Sequence, residues 1–90
     1  MQRNFTFFSD PGHGWVQVHK AFLEQLAGPS WRTVFSCFSY YSRRDGFVYL
    51  EEDSDAPKFL SLCLVNSVEP TFSKQNFDTE CFIRSLSPLH

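Results

Sequence analysis

Two runs rich in β-branched and aromatic residues, 33–41 and 47–50, flank the word Arg44-Asp45-Gly46. Asp-Gly is the pair that a two-residue type I′ hairpin turn demands, because both central positions need positive φ. Taking Asp45 and Gly46 as the loop sets Arg44 opposite Phe47, Ser42 opposite Tyr49 and Tyr41 opposite Leu50. Opposed residues share a face, and faces alternate along each strand. One face then carries Phe35, Cys37, Tyr41, Val48 and Leu50, and is the more aliphatic. The other carries Phe38, Tyr40, Arg44, Phe47, Tyr49 and Glu51, aromatic and hydroxylated with charged edges. The first face is the expected core, and the second is free for a partner unless another segment covers it.

The rest of the chain supplies elements to pack on that hairpin. Residues 3–9 alternate around Phe5 and Phe7 at the period of a strand. Asp10, Pro11, Gly12, His13 and Gly14 form a dense turn signal, with Pro-Gly suited to a type II turn, and Trp15 opens a second extended run. Residues 19–27 place Ala21, Phe22, Leu23 and Leu26 near helical spacing, and Gly28-Pro29 stops that helix. A second helix follows Pro57 and ends near Asn66, with Asp53 or Ser54 as its cap. Residues 71–73 and 81–84 read as two closing strands with a turn over 76–79.

This order predicts a single α+β domain over residues 1–90: a small, mainly antiparallel sheet with two short helices on one face. Ninety residues suit one domain, and aromatic residues at 18 %, with eleven Phe, give a short chain large apolar area to bury.

Net charge is −2, which excludes a strongly basic nucleic-acid binder and a fully acidic nucleic-acid mimic. The balance is uneven: residues 1–50 carry five basic against three acidic side chains, whereas residues 51–90 carry three against seven. Cys37, Cys63 and Cys81 lack paired spacing or a CxxC zinc word, so they read as buried free thiols in a reducing cytosol. No stretch approaches the ~18 apolar residues of a membrane span, and no signal pattern opens the chain.

Three constellations carry candidate chemistry. Glu51, Glu52, Asp53 and Asp55 form an acidic shoulder, read either as an electrostatic partner surface or as a solvated helix entry. They lack the glycine and spaced ligands of an EF-hand, so no metal is assigned. Asp10 and His13 could make a hydrolytic dyad, yet no G-x-S-x-G elbow or phosphate-cradling loop accompanies them, and the turn residues read as structural. No enzyme activity and no cofactor are expected. Arg43, Arg44, Phe38, Tyr40, Phe47 and Tyr49 combine aromatic rings with guanidinium, the chemistry of protein hot spots and of single-strand nucleic-acid platforms.

The stretch Ser9-Asp10-Pro11-Gly12-His13-Gly14-Trp15-Val16 resembles the opening of a family of short, largely uncharacterised proteins encoded by bacteriophages and plasmids. In that family DPGHGW is followed by a short helix, a tyrosine-rich strand and YLEED-x-DA, matched here by Tyr40-Tyr41 and by Tyr49 through Ala56. Its closing Ile-Arg-Ser word is matched by Ile83-Arg84-Ser85. The chain departs from the family at residues 26–31 and in lacking an aromatic finish over 86–90. The resemblance implies a mobile-element setting in a bacterial cytoplasm and names no activity. The expected role is an accessory binder of a host protein or nucleoprotein complex, in its sharpest form an anti-CRISPR inhibitor. Tyr40, Arg44, Phe47, Tyr49, Glu51, Glu52, Asp53 and Asp55 are the expected contacts. A single-strand nucleic-acid module, a hydrolase at Asp10 and His13, and a homodimer are the alternatives.

Overall fold

The computed structural model describes residues 1–90. Strand β1 (Gln2–Ser9) turns into β2 (Gly14–His19), which runs straight into helix α1 (Lys20–Ala27). His19 caps that helix by accepting the Ala21 amide on Nδ1 at 3.1 Å, and Gly28 at φ +83° ends it. A 3₁₀ turn at Trp31–Val34 leads to β3 (Tyr40–Tyr41) and β4 (Phe47–Glu51). Helix α2 (Ala56–Val65), β5 (Glu69–Asn76), a second 3₁₀ turn at Phe82–Ser85 and β6 (Ser87–Pro88) complete the chain.

The strands form one sheet in the order β5-β1-β2-β4-β3-β6. Every neighbouring pair is antiparallel except β1 with β5, which run parallel over eight residues from Gln2↔Glu69 to Ser9↔Asn76. The parallel pair follows from α2, which carries the chain from β4 across the sheet to its far edge and sets Phe59 edge-on against Phe5, 5.1 Å between centroids. Both helices cover one face. Phe22, Leu23, Phe59 and Cys63 meet Phe5, Val16, Val18, Val48 and Leu50 there, so the expected α+β architecture holds. No helix is long and apolar enough to cross a membrane.

The hairpin keeps its expected faces but not its register. Tyr40 opposes Tyr49 and Tyr41 opposes Val48, two residues from the spacing that a two-residue loop imposes. The link spans residues 43–46: Ser42 donates to Phe47 O and Gly46 donates to Ser42 O, both at 2.9 Å. Only Gly46 takes positive φ, at +79°; Asp45 instead accepts the Phe47 amide on its carboxylate at 3.1 Å. A slip of two residues preserves side-chain parity, which is why Val48 and Leu50 still face the helices and Tyr40, Phe47 and Tyr49 the other side.

Other expectations are corrected. Of residues 33–41 only Tyr40 and Tyr41 are strand, because burial of Trp31 and Phe35 draws the preceding segment into the first core. Cys37 and Phe38 therefore project from a loop, and Cys37 is exposed rather than buried. Gly12 keeps negative φ, so no type II turn forms; Asp10 closes the turn through its side chain. The α2 cap position falls on Asp55, whose carboxylate makes no capping hydrogen bond to the helix amides. Residues 81–84 form no closing strand, because they lie over the second sheet face. There Trp15, Tyr49, Cys81 and Ile83 make a second core, packed by Phe8, Tyr40, Phe47, Phe77 and Leu86.

Candidate functional site

The DPGHGW turn is held from within. Asp10 accepts the Gly12 and His13 amides at 3.0 Å, the Cys81 amide at 3.2 Å, and Nε and Nη2 of Arg84 at 2.5 and 2.9 Å. The Arg84 guanidinium and then the backbone amides, outweighing burial, hold the Asp10 carboxyl far below the usual carboxylate range. A Cβ on Gly12 would lie 2.8 Å from Arg84 Nη2, and one on Gly14 would lie 2.4 Å from the Phe7 ring and 2.9 Å from a Glu52 oxygen. The two glycines are thus close-approach positions, one for the guanidinium and one for a ring. Arg84 also stacks over Trp15, its Cζ 5.5 Å from the ring.

The dyad of the hydrolase alternative, Asp10 with His13, is not assembled. Asp10 takes the backbone amide of His13, and its two oxygens are occupied by five donors. The His13 imidazole points elsewhere: half-exposed, its Nδ1 lies 3.9 Å from Glu51 Oε2, beyond hydrogen-bond reach.

Beside this turn lies a cleft of about 310 Å³. His13 and Trp15 form one wall, and Cys37, Phe38 and Tyr40 a second. Glu51 at the end of β4, Asp53 and Ser54 in the turn that follows, and Arg84 complete the lining. The DPGHGW, Tyr-Tyr, LEED-x-DA and Ile-Arg-Ser words, spread over more than seventy residues of chain, each contribute to this one concavity.

The eight expected contact residues do not make one surface. Tyr40, Glu51 and Asp53 line the cleft. Arg44 sits on the exposed hairpin loop and, with Tyr49, Phe82 and Leu86, lines a separate hollow of about 500 Å³. Phe47 packs edge-on against His19, 5.3 Å between ring centroids. Tyr49 is 3 % exposed beneath Phe8 and Phe82, and its hydroxyl accepts from Gln17 Nε2 at 3.1 Å. Burial raises its phenol above the usual value. Of the aromatic face that the single-strand alternative would use, Tyr49 is core, while Tyr40 and Phe47 are partly buried against it.

The acidic shoulder also divides. Glu52 and Asp53 are exposed, Glu51 is 6 % exposed, and Asp55 is fully buried. Glu51 Oε1 accepts the Asp53 and Ser54 amides at 3.1 and 2.9 Å, which fixes the carboxylate in the cleft lining. Asp55 accepts the Ser36 amide at 3.0 Å on both oxygens, the Ser36 hydroxyl at 2.8 Å and the Ser39 hydroxyl, with Lys58 Nζ at 3.4 Å. That knot ties the loop bearing Cys37 and Phe38 to the start of α2, so Asp55 is a structural anchor rather than a contact. Carboxylate oxygens of Glu51, Glu52 and Asp53 lie within 4.8 Å of one another, a spacing that solvated acids adopt without an ion.

Of the cleft residues, Cys37 and Ser54 carried no signal in the sequence as site members, whereas Phe38 stood on the hairpin face read as free for a partner. Arg84 was visible only through the Ile-Arg-Ser word, and His13 and Trp15 only as turn residues. No family model, curated protein or solved structure matches the chain.

Proposed function

We propose that this chain is a small accessory protein of a mobile element that acts by binding a host protein or nucleoprotein complex through the cleft at the DPGHGW turn. Its sharpest form is an inhibitor of a host defence complex, an anti-CRISPR protein among them. The observation that supports binding at this place is a division of labour within the motifs. Asp10, Gly12, Gly14 and Asp55 are consumed by internal bonds and close approaches. His13, Phe38 and Asp53, in contrast, present exposed groups whose side chains make no hydrogen bond within the chain. Exposed aromatic area beside fixed charge is the composition of an interaction hot spot.

The test is affinity purification of the tagged protein from a bacterial host. Wild type should retain a defined complex. An Asp53→Lys, Phe38→Ala variant with unchanged thermal unfolding should lose it, because charge reversal slows association and ring removal speeds release. Arg44→Ala, in the separate hollow, should retain it. Equal capture by wild type and the cleft variant would remove this assignment.

A further inference from the structure

We infer that the cleft receives the guanidinium of an arginine side chain presented by a partner protein, an inference that rests on reading the cleft as the docking site. The first ground is an unmet acceptor. Glu51 is more than nine-tenths buried, and its Oε1 is occupied by two backbone amides. Oε2 lines the cleft with no donor from the chain, the nearest polar group being His13 Nδ1 at 3.9 Å. That oxygen is reached by solvent, and with its companion oxygen pinned by two amides it can exchange water for a charge-assisted N–H presented from outside.

Charge gives the second ground. The one permanent cation in the cleft wall, Arg84, has Nε and Nη2 bonded to Asp10, so that pair is neutral as a unit. Glu51 and Asp53 are left as net negative charge in the lining, with carboxylate oxygens no more than 4.8 Å apart. Two acceptors at that spacing suit the fork of donors on one guanidinium, which bonds in a plane.

The walls supply the third. Phe38 offers a ring that is 62 % exposed, and Tyr40 stands beside Trp15, 6.3 Å between centroids. Aromatic faces beside carboxylates favour a flat, weakly hydrated cation over a compact ammonium. At about 310 Å³ the cleft lies at the small end of ligand sites, sized for one side chain rather than a length of strand.

The experiment titrates the full chain, labelled with ¹⁵N, with N-acetyl-arginine methylamide. Parallel titrations use the citrulline analogue, N-acetyl-lysine methylamide and calcium chloride. Expected are saturable shifts of the Asp53 and Ser54 amides with the arginine derivative and slower labelling of the exposed Cys37 thiol. The neutral citrulline analogue should give neither, and lysine should bind more weakly. Glu51→Gln should weaken arginine about tenfold, the worth of one charge-assisted hydrogen bond. Asp53→Asn, which leaves the internal bonds intact, should weaken it about threefold.

No saturation with arginine, equal response to citrulline, equal affinity for lysine, or calcium alone shifting these amides would each overturn the inference. If free arginine fails while cleft variants still lose the host complex, only the guanidinium assignment falls. If arginine binds but those variants keep the complex, the docking reading falls instead.

Discussion

Replacing Asp55 with alanine tests how the cleft is held. The carboxylate is fully buried and collects the Ser36 amide, the Ser36 hydroxyl and the Ser39 hydroxyl. Ser39 is itself fully buried, so losing its acceptor leaves a polar group without solvent, at a cost of about 1–3 kcal/mol. The half-buried Ser36 amide loses a charged acceptor, and water recovers part of that. Removing the charge also removes its own desolvation cost, so the loss is smaller than the sum of its bonds. The expected destabilisation is about 3 kcal/mol, against a total of roughly 5–13 kcal/mol for a domain of this length. Urea unfolding should show that loss at unchanged m, and the melting temperature should drop by about 12–24 °C. Lys58→Ala, which removes the half-exposed ammonium from the same carboxylate, should cost under about 1 kcal/mol. Because residues 36–39 carry Cys37 and Phe38, Asp55→Ala should also raise the rate of Cys37 labelling. Combining it with Ser39→Ala should cost less than the two changes summed. A loss below about 1 kcal/mol with unchanged Cys37 labelling would refute the view that Asp55 anchors this wall.

Acid should act through Asp10. Its folded carboxyl titrates below the unfolded value of about 3.9, so its contribution is complete above that pH and is lost as pH falls from there toward the folded value. Melting temperature should decline below about pH 4, and Asp10→Asn should flatten that decline; an identical slope in both proteins would rule it out. Gly14→Ala should destabilise far more than Gly28→Ala. The first drives a Cβ into the Phe7 ring, whereas the second meets open space and costs only the strain of an extended positive-φ backbone, about 1–3 kcal/mol. Urea midpoints of the two variants decide this. An aromatic disulfide reagent should modify one thiol per native chain, Cys37. Cys63, its thiol pushed up by burial, and Cys81 should react only on unfolding.

How far the site was legible varies residue by residue. Gly28, with its positive φ, and the parity of Val48 and Tyr49 were readable because each depends on neighbours a few positions away. The hairpin loop was not, because the Asp45 side chain satisfies the Phe47 amide and allows a longer link than Asp-Gly requires. Asp55 looked like one more exposed acid, since nothing local indicates that Ser36 and Ser39 close around it. The aromatic face of the hairpin read as available because the residues that cover it, 77–86, lie some thirty to forty positions further on.

The sequence alone therefore determined which side chains share a face and where the helices stop. Only the tertiary structure decided that the ring-bearing face is a second core, that β5 runs parallel to β1, and that the motif words meet at one cleft. Periodicity and turn chemistry are set by steric and hydrogen-bonding choices within a few residues. The Asp10–Arg84 pair closes across seventy-four residues, and which face is left open depends on contacts of that range.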